Sequence, residues 1–309
     1  MSRETFEQQR LDWFRRHGFN GEGGWVSAAD GRRTYVLDTG GDGVPTVLLH
    51  GGLADATVWG EVAGRLDGRV VVPDRPGCGL SAPIDYRRVE DYRADAADWL
   101  SGLLDALGTE RVNLVGNSMG GYFAMAFALA HPDRVERLVL VGAGAGLDQR
   151  IPLFIRLWGA PVIGAVVSRM AQISDPEKLR TTVFPDLVVD PSRLDVEFLQ
   201  LGIDGAAQPG AALTSRTMLG AISTLRGFRP ELMLREDMAS LPVPTTFLWG
   251  EHDAFAPPSS AHELAPRMPD ATVVELAGLG HMPQVEDPEL VADLVSRALD
   301  DASEAPASA

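Results

Sequence analysis

The 309-residue chain contains a single cysteine, Cys78, so no disulfide can form within it. That poverty fits a reducing compartment, and a cytoplasmic location is expected. The opening text, MSRETFEQQRLDWFRRHG, lacks an apolar core, so no signal peptide is expected. Long hydrophobic runs are also missing. The most apolar stretch, Ile151 to Val167, is interrupted by Arg156, Gly159, Pro161 and Gly164, which argues against a membrane span. Basic residues are few: 27 Lys and Arg face 43 Asp and Glu, for a net charge of −16. They form no stripe, so a nucleic-acid partner is not expected, and anionic polymers and membranes are disfavoured. Aromatic residues make up only 7% but are spread along most of the chain. With 45% hydrophobic and 23% charged residues, the composition is that of a folded domain, large or carrying an insertion, and not of a disordered chain. A monomer or a homodimer is expected.

The text that is present alternates between two periodicities. Apolar β-type runs occur at Thr34–Asp38, Thr46–His50, Val70–Asp74, Val112–Gly116, Leu138–Gly142, Thr245–Gly250 and Thr272–Leu276. Most are continuously apolar, the pattern of strands covered on both faces in a parallel sheet. Helical spacing appears at Val89–Leu107, Ser118–Ala130 and Pro288–Leu299. Strands alternating with helices predict a doubly wound α/β architecture. Residues 3–17 read as a short polar helix lying on the surface. Between Leu147 and Met238 the alternation lapses into helix-like text holding Phe154, Trp158, Met170, Phe184, Phe198, Met218 and Phe228, an expected helical insertion. The polar tail at 301–309 is expected to be disordered.

One short stretch carries chemistry. Gly116-Asn117-Ser118-Met119-Gly120 follows a predicted strand and opens a predicted helix, the setting of a nucleophile elbow. A tight strand-to-helix turn crowds its neighbours, and Gly116, Gly120 and Gly121 relieve the crowding. A serine hydroxyl needs a base, and the base needs an orienting acid. Of the six histidines, His281 has the best placing, in the loop Gly278-Leu279-Gly280-His281-Met282-Pro283 between the last strand and the last helix. Asp253 is the chosen acid, just beyond the strand ending at Gly250, with Glu251 as runner-up. The oxyanion donors are expected to be the N–H groups of Met119 and Gly52, with Leu53 second to Gly52.

These residues together resemble the α/β-hydrolase superfamily, in its branch with a helical cap. The resemblance spans most of residues 25–300. It rests on HGG at 50–52, DRPGCGLS at 74–81, GNSMGG at 116–121, GEHD at 250–253 and GHMPQVEDP at 280–288. It implies a mostly parallel eight-stranded sheet flanked by helices, no metal and no organic cofactor. The implied division is an N-terminal helical extension at 1–24, a core at 25–146 and 239–300, and a cap at 147–238. The catalytic set is Ser118, Asp253 and His281, and the substrate pocket is assigned to Leu53, Asn117, Phe154, Trp158, Phe184, Phe255 and Met282. The expected activity is hydrolysis of a carboxylic ester of a small apolar molecule through an acyl-enzyme. Carbon–carbon bond, lactone or thioester hydrolysis, cyclisation, or plain ligand binding on the same fold stand as alternatives. GNSMGG is typical of hydrolases acting on ring-fission products. Those enzymes also tend to carry Gly-Pro-Gly after the HG motif and Trp after the catalytic histidine, where this chain has Gly52-Leu53-Ala54 and Met282.

Overall fold

The structure, a computed structural model, describes residues 2–160 and 173–300, without the side chain of Phe154. Met170 and the tail at 301–309 lie outside the described residues. Eight strands form one sheet: β1 (Glu22–Ser27), β2 (Arg33–Asp38), β3 (Thr46–Leu49), β4 (Val70–Pro73), β5 (Val112–Asn117), β6 (Val135–Val141), β7 (Thr245–Gly250) and β8 (Ala271–Leu276). Their order is β1-β2-β4-β3-β5-β6-β7-β8. Every pairing from β4 to β8 is parallel, while β2 runs antiparallel to both its neighbours. This is the α/β-hydrolase arrangement.

The continuous apolar runs have a direct cause. Leu114 of β5, with Val47 and Leu140, faces one core; Val115, with Leu48 and Val141, faces another on the opposite side of the sheet. Successive residues of a strand point to opposite faces, so a strand covered on both sides needs every residue apolar. Helices α2 (Tyr92–Ala106) and α3 (Met119–Ala130) cover the first face. The N-terminal helix α1 (Arg3–Arg16) and the last described helix, Pro288–Asp300, cover the second.

The N-terminal helix lies at the surface, with Arg3, Glu4, Gln8, Gln9, Arg15 and Arg16 exposed, but its inner face is deeply covered: Phe6, Arg10 and Phe14 are completely buried, with Leu11 and Trp13 nearly so. Its sparse apolar residues fall on one face, and the arginine among them is paired inside the protein. One expectation is corrected by β1, which begins inside the segment assigned to a helical extension. Glu22–Ser27 reads EGGWVS, too rich in glycine to signal a strand. Gly23 is needed because a Cβ there would lie 1.8 Å from the Tyr35 hydroxyl of the paired strand. Trp25 packs edge-on against the same tyrosine, with ring centroids 5.6 Å apart.

Between β6 and β7 the chain leaves the sheet. This excursion carries α4 (Leu153–Gly159), α5 (Pro176–Thr182), α6 (Val196–Ala206) and α7 (Ala211–Ile222). Because β3, β5, β7 and β8 are parallel, the loops that follow them emerge at one edge of the sheet. Those loops carry Gly52, Ser118, Asp253 and His281.

Candidate active site

Ser118 adopts φ 51° and ψ −118°, a strained conformation for a residue with a Cβ. The surroundings impose it. A Cβ on Gly116 would lie 2.6 Å from the backbone of Gly121, one on Gly120 2.0 Å from the Leu49 carbonyl oxygen, and one on Gly121 2.4 Å from Ala143 Cβ. Strand and helix therefore approach as closely as backbones allow, and the serine is left at the apex. Gly120→Ala is expected to destabilise the fold by at least about 3 kcal/mol, since its obstacle is backbone and cannot turn aside. Gly24→Ala, with nothing within 4 Å of its Cβ, is the control and should stay within about 0.5 kcal/mol. Urea unfolding of both variants checks this.

Asp253 and His281 are brought together. Both are buried, and His281 Nδ1 lies 2.9 Å from each carboxylate oxygen of Asp253. Asp253 Oδ1 also accepts from the N–H groups of Phe255 and Ala256, at 2.8 and 3.3 Å. A carboxylate facing Nδ1 fixes the proton there and leaves Nε2 as the acceptor nitrogen. Phe255 stacks on the imidazole, with centroids 4.1 Å apart and planes inclined by 17°. Glu251, the alternative acid, instead accepts from Gly278 N–H at 2.9 Å and braces the loop that carries the histidine.

Ser118 and His281 line one cavity of about 710 Å³. Among the described residues, no direct hydrogen bond joins the Ser118 hydroxyl to the imidazole. Asn117 ties the two loops together: its amide donates to the carbonyls of Val141, at 2.9 Å, and His281, at 3.1 Å. Besides lining the cavity, Asn117 thus holds the histidine segment against the elbow.

Gly52 stands beside Met119, since a Cβ on Gly52 would lie 3.3 Å from Met119 Cγ. Met119 opens α3, so its N–H has no helical partner. The loop before Gly52 is clamped by Arg75, which donates from Nε to the His50 carbonyl at 2.7 Å and from Nη2 to that of Gly51 at 2.6 Å. His50 Nε2 accepts from Arg75 N–H at 2.9 Å. Burial, followed by the nearby Arg75 charge, holds the His50 imidazole well below its usual range. It is a neutral brace. Burial pushes the Cys78 thiol up to about 11, so it stays protonated and unreactive.

Leu53, Trp158, Phe184, Phe255 and Met282 all line the cavity, as does Asn117. Leu53 has a positive φ of 62°, a strained turn directly after Gly52. Phe154 is a position of α4 whose side chain lies outside the described residues. Sequence reading missed Arg10. It is fully buried, with Nη1 2.8 Å from Asp74 Oδ1 and 3.8 Å from Asp55 Oδ1. Asp74 in turn accepts from Ala56 N–H at 3.0 Å and Leu80 N–H at 2.8 Å. The N-terminal helix therefore reaches the base of the Gly52 loop.

The model of the alpha/beta hydrolase fold family matches residues 45–288. A 2-hydroxy-6-oxononadienedioate/2-hydroxy-6-oxononatrienedioate hydrolase of Burkholderia vietnamiensis is 32% identical over 277 residues, covering 83% of this chain and 87% of that protein. A meta-cleavage product hydrolase from Pseudomonas fluorescens is 26% identical with a TM-score of 0.70, covering 91% of this chain and 98% of that one. A thermophilic esterase from Thermogutta terrifontis is also 26% identical over the same shares, with a TM-score of 0.66.

Proposed function

The chain belongs to the α/β-hydrolase fold family, and from that premise we propose that it is a serine hydrolase cleaving carboxylic esters of small apolar molecules. The observation that carries the reading is the pairing of His281 Nδ1 with both Asp253 oxygens at 2.9 Å, beside a serine held at φ 51° in the same cavity.

In this reading His281 Nε2 takes the proton of Ser118 as Oγ attacks the ester carbonyl carbon. Asp253 holds the imidazole in the tautomer that can accept and stabilises it once charged. The N–H groups of Gly52 and Met119 receive the oxyanion, each worth about 3 kcal/mol of transition-state stabilisation. Collapse of the tetrahedral adduct expels the alcohol, protonated by His281, and leaves an acyl-Ser118. His281 then removes a proton from water, which attacks the acyl carbon and frees the acid and the serine.

The described parts of the insertion, residues 147–160 and 173–238, act as the cap and place Trp158 and Phe184 on the cavity wall. The lining is mostly apolar; its described charged residues are Asp55, Arg150, Lys178 and Asp186, and Arg150 is paired with Asp148 at 3.2 Å. An apolar acyl group is desolvated there at little cost.

Hydrolysis of a carbon–carbon bond in a ring-fission product is the second reading. Its support is the activity that names the Burkholderia relative, together with the GNSMGG elbow. A panel of short and medium chromogenic esters beside a ring-fission dienone separates the two. Ester turnover that disappears in Ser118→Ala, with a fluorophosphonate mass adduct on Ser118, is expected. Turnover of the dienone alone hands the function to the second reading, and an adduct elsewhere or nowhere removes both.

A further inference from the structure

The loop bearing His281 is anchored on both sides of the imidazole, and one anchor is a carboxylate with no role in the triad. Glu286 Oε2 accepts from Gly280 N–H at 2.6 Å, the residue immediately before His281. Its other oxygen, Oε1, accepts from Val189 N–H at 2.6 Å, in the insertion between β6 and β7. On the far side of the histidine, Met282 N–H donates to the Leu187 carbonyl at 3.0 Å. The insertion thus holds the residues before and after His281, once through Glu286 and once directly.

The fit is close on every side. A Cβ on Gly280 would lie 3.0 Å from the Leu187 carbonyl oxygen and 3.2 Å from both Glu286 Oε2 and Val188 Cα. One on Gly250, at the start of the Asp253 loop, would lie 2.0 Å from the Gly280 carbonyl oxygen. A shift at Gly280 therefore presses on the segment that sets Asp253. Burial pushes the Glu286 carboxyl up, against the pull of its two N–H donors and of Arg193 and His252. Leu187 and Met282 both line the cavity, so the anchored strip is also cavity wall.

We propose that Glu286 is a positioning residue that locks the insertion to the His281 loop, so that the seat of the insertion over the cavity sets the aim of the imidazole. The inference rests on the reading of His281 as the general base. Gln at 286 keeps one acceptor but turns an amide N–H toward a backbone N–H; Ala loses both acceptors.

The test measures kcat and KM for a short and a medium chromogenic ester, expressed per site titrated with fluorophosphonate. Glu286→Gln is expected to lower kcat for both esters by about 10- to 100-fold, as a small misplacement of a catalytic group does. Glu286→Ala should lose more, and KM for the short ester should change little. Counting only titrated sites removes any loss of folded protein from the comparison. An unchanged kcat per titrated site overturns the proposal. Hydrogen exchange on the unaltered protein needs neither turnover nor a folded variant. The amides of Val189 and Gly280 should be protected together, and exchange of either at the rate of an open loop overturns the lock. Failure of every ester and of serine labelling, with both amides protected, removes the base reading and leaves the lock standing.

Discussion

Asp253→Asn is expected to lower kcat by about 10⁴-fold while leaving the fold intact, the size of loss that follows when the orienting carboxylate of such a triad becomes an amide. The cause lies in the hydrogen bonds. Asp253 faces three donors, the N–H groups of Phe255 and Ala256 and the Nδ1–H of His281. An asparagine can satisfy the two backbone donors with its single carbonyl oxygen. Its amide N–H₂ then meets Nδ1, which must accept. The ring proton moves to Nε2, and the nitrogen facing away from residue 253 becomes a donor. A donor cannot take the proton of Ser118, so nucleophilic attack stalls and serine labelling slows with it. Phe255 stacking and the Asn117 bond to the His281 carbonyl hold the ring and its backbone in place, so circular dichroism should be unchanged. Steady-state kinetics with a chromogenic ester, beside the rate of fluorophosphonate labelling, measures the effect. A loss under tenfold would mean that His281 does not depend on Asp253 for its tautomer, and the proposed triad would have to be abandoned.

What the sequence disclosed and what it concealed follow from the range of the interactions. Ser118, Met119 and their glycines lie within six residues, and their chemistry is local: the steric needs of one turn are written beside it. Asp253 and His281 are legible for a related reason. Each follows a strand with a clear apolar run, and parallel strands deliver their ends to one edge. Arg10 offers no such signal. A charged residue in the sequence FEQQRLDWF reads as solvated until its partners are known, and those partners, Asp55 and Asp74, sit on two other loops. Glu286 lies within a motif that drew attention for its histidine, yet half of its function depends on the amide of Val189, nearly a hundred residues earlier. β1 was hidden by composition: two of its six residues are glycines, and one of them serves the hydroxyl of Tyr35.

Arg10→Ala is expected to cost about 3–5 kcal/mol of stability at neutral pH, the usual result of removing one partner from a buried ion pair. Arg10 is the cation in direct contact with Asp74 and Asp55, and all three side chains are buried. Asp74 also accepts from the Ala56 and Leu80 N–H groups, which hold two loops. Asp55 is already raised above the ordinary carboxylate range, by burial first, even with Arg10 beside it. Without the guanidinium it should rise further. The folded variant then binds a proton that its unfolded chain releases, so its stability falls as pH climbs through the folded value and recovers on acidification. The deficit against the parent protein should therefore shrink toward pH 5. Arg10→Met with Asp55→Asn, which removes charge from both sides and restores apolar volume, should regain part of the loss, a coupling that a purely steric role for Arg10 would not produce. Urea unfolding of the parent, the single variants and the double variant at neutral and acid pH reads the cycle. A single-variant loss below about 1 kcal/mol, or one that grows on acidification, would show that the buried carboxylates do not rely on Arg10. The Gly52 loop would then owe its position to the Arg75 clamp alone.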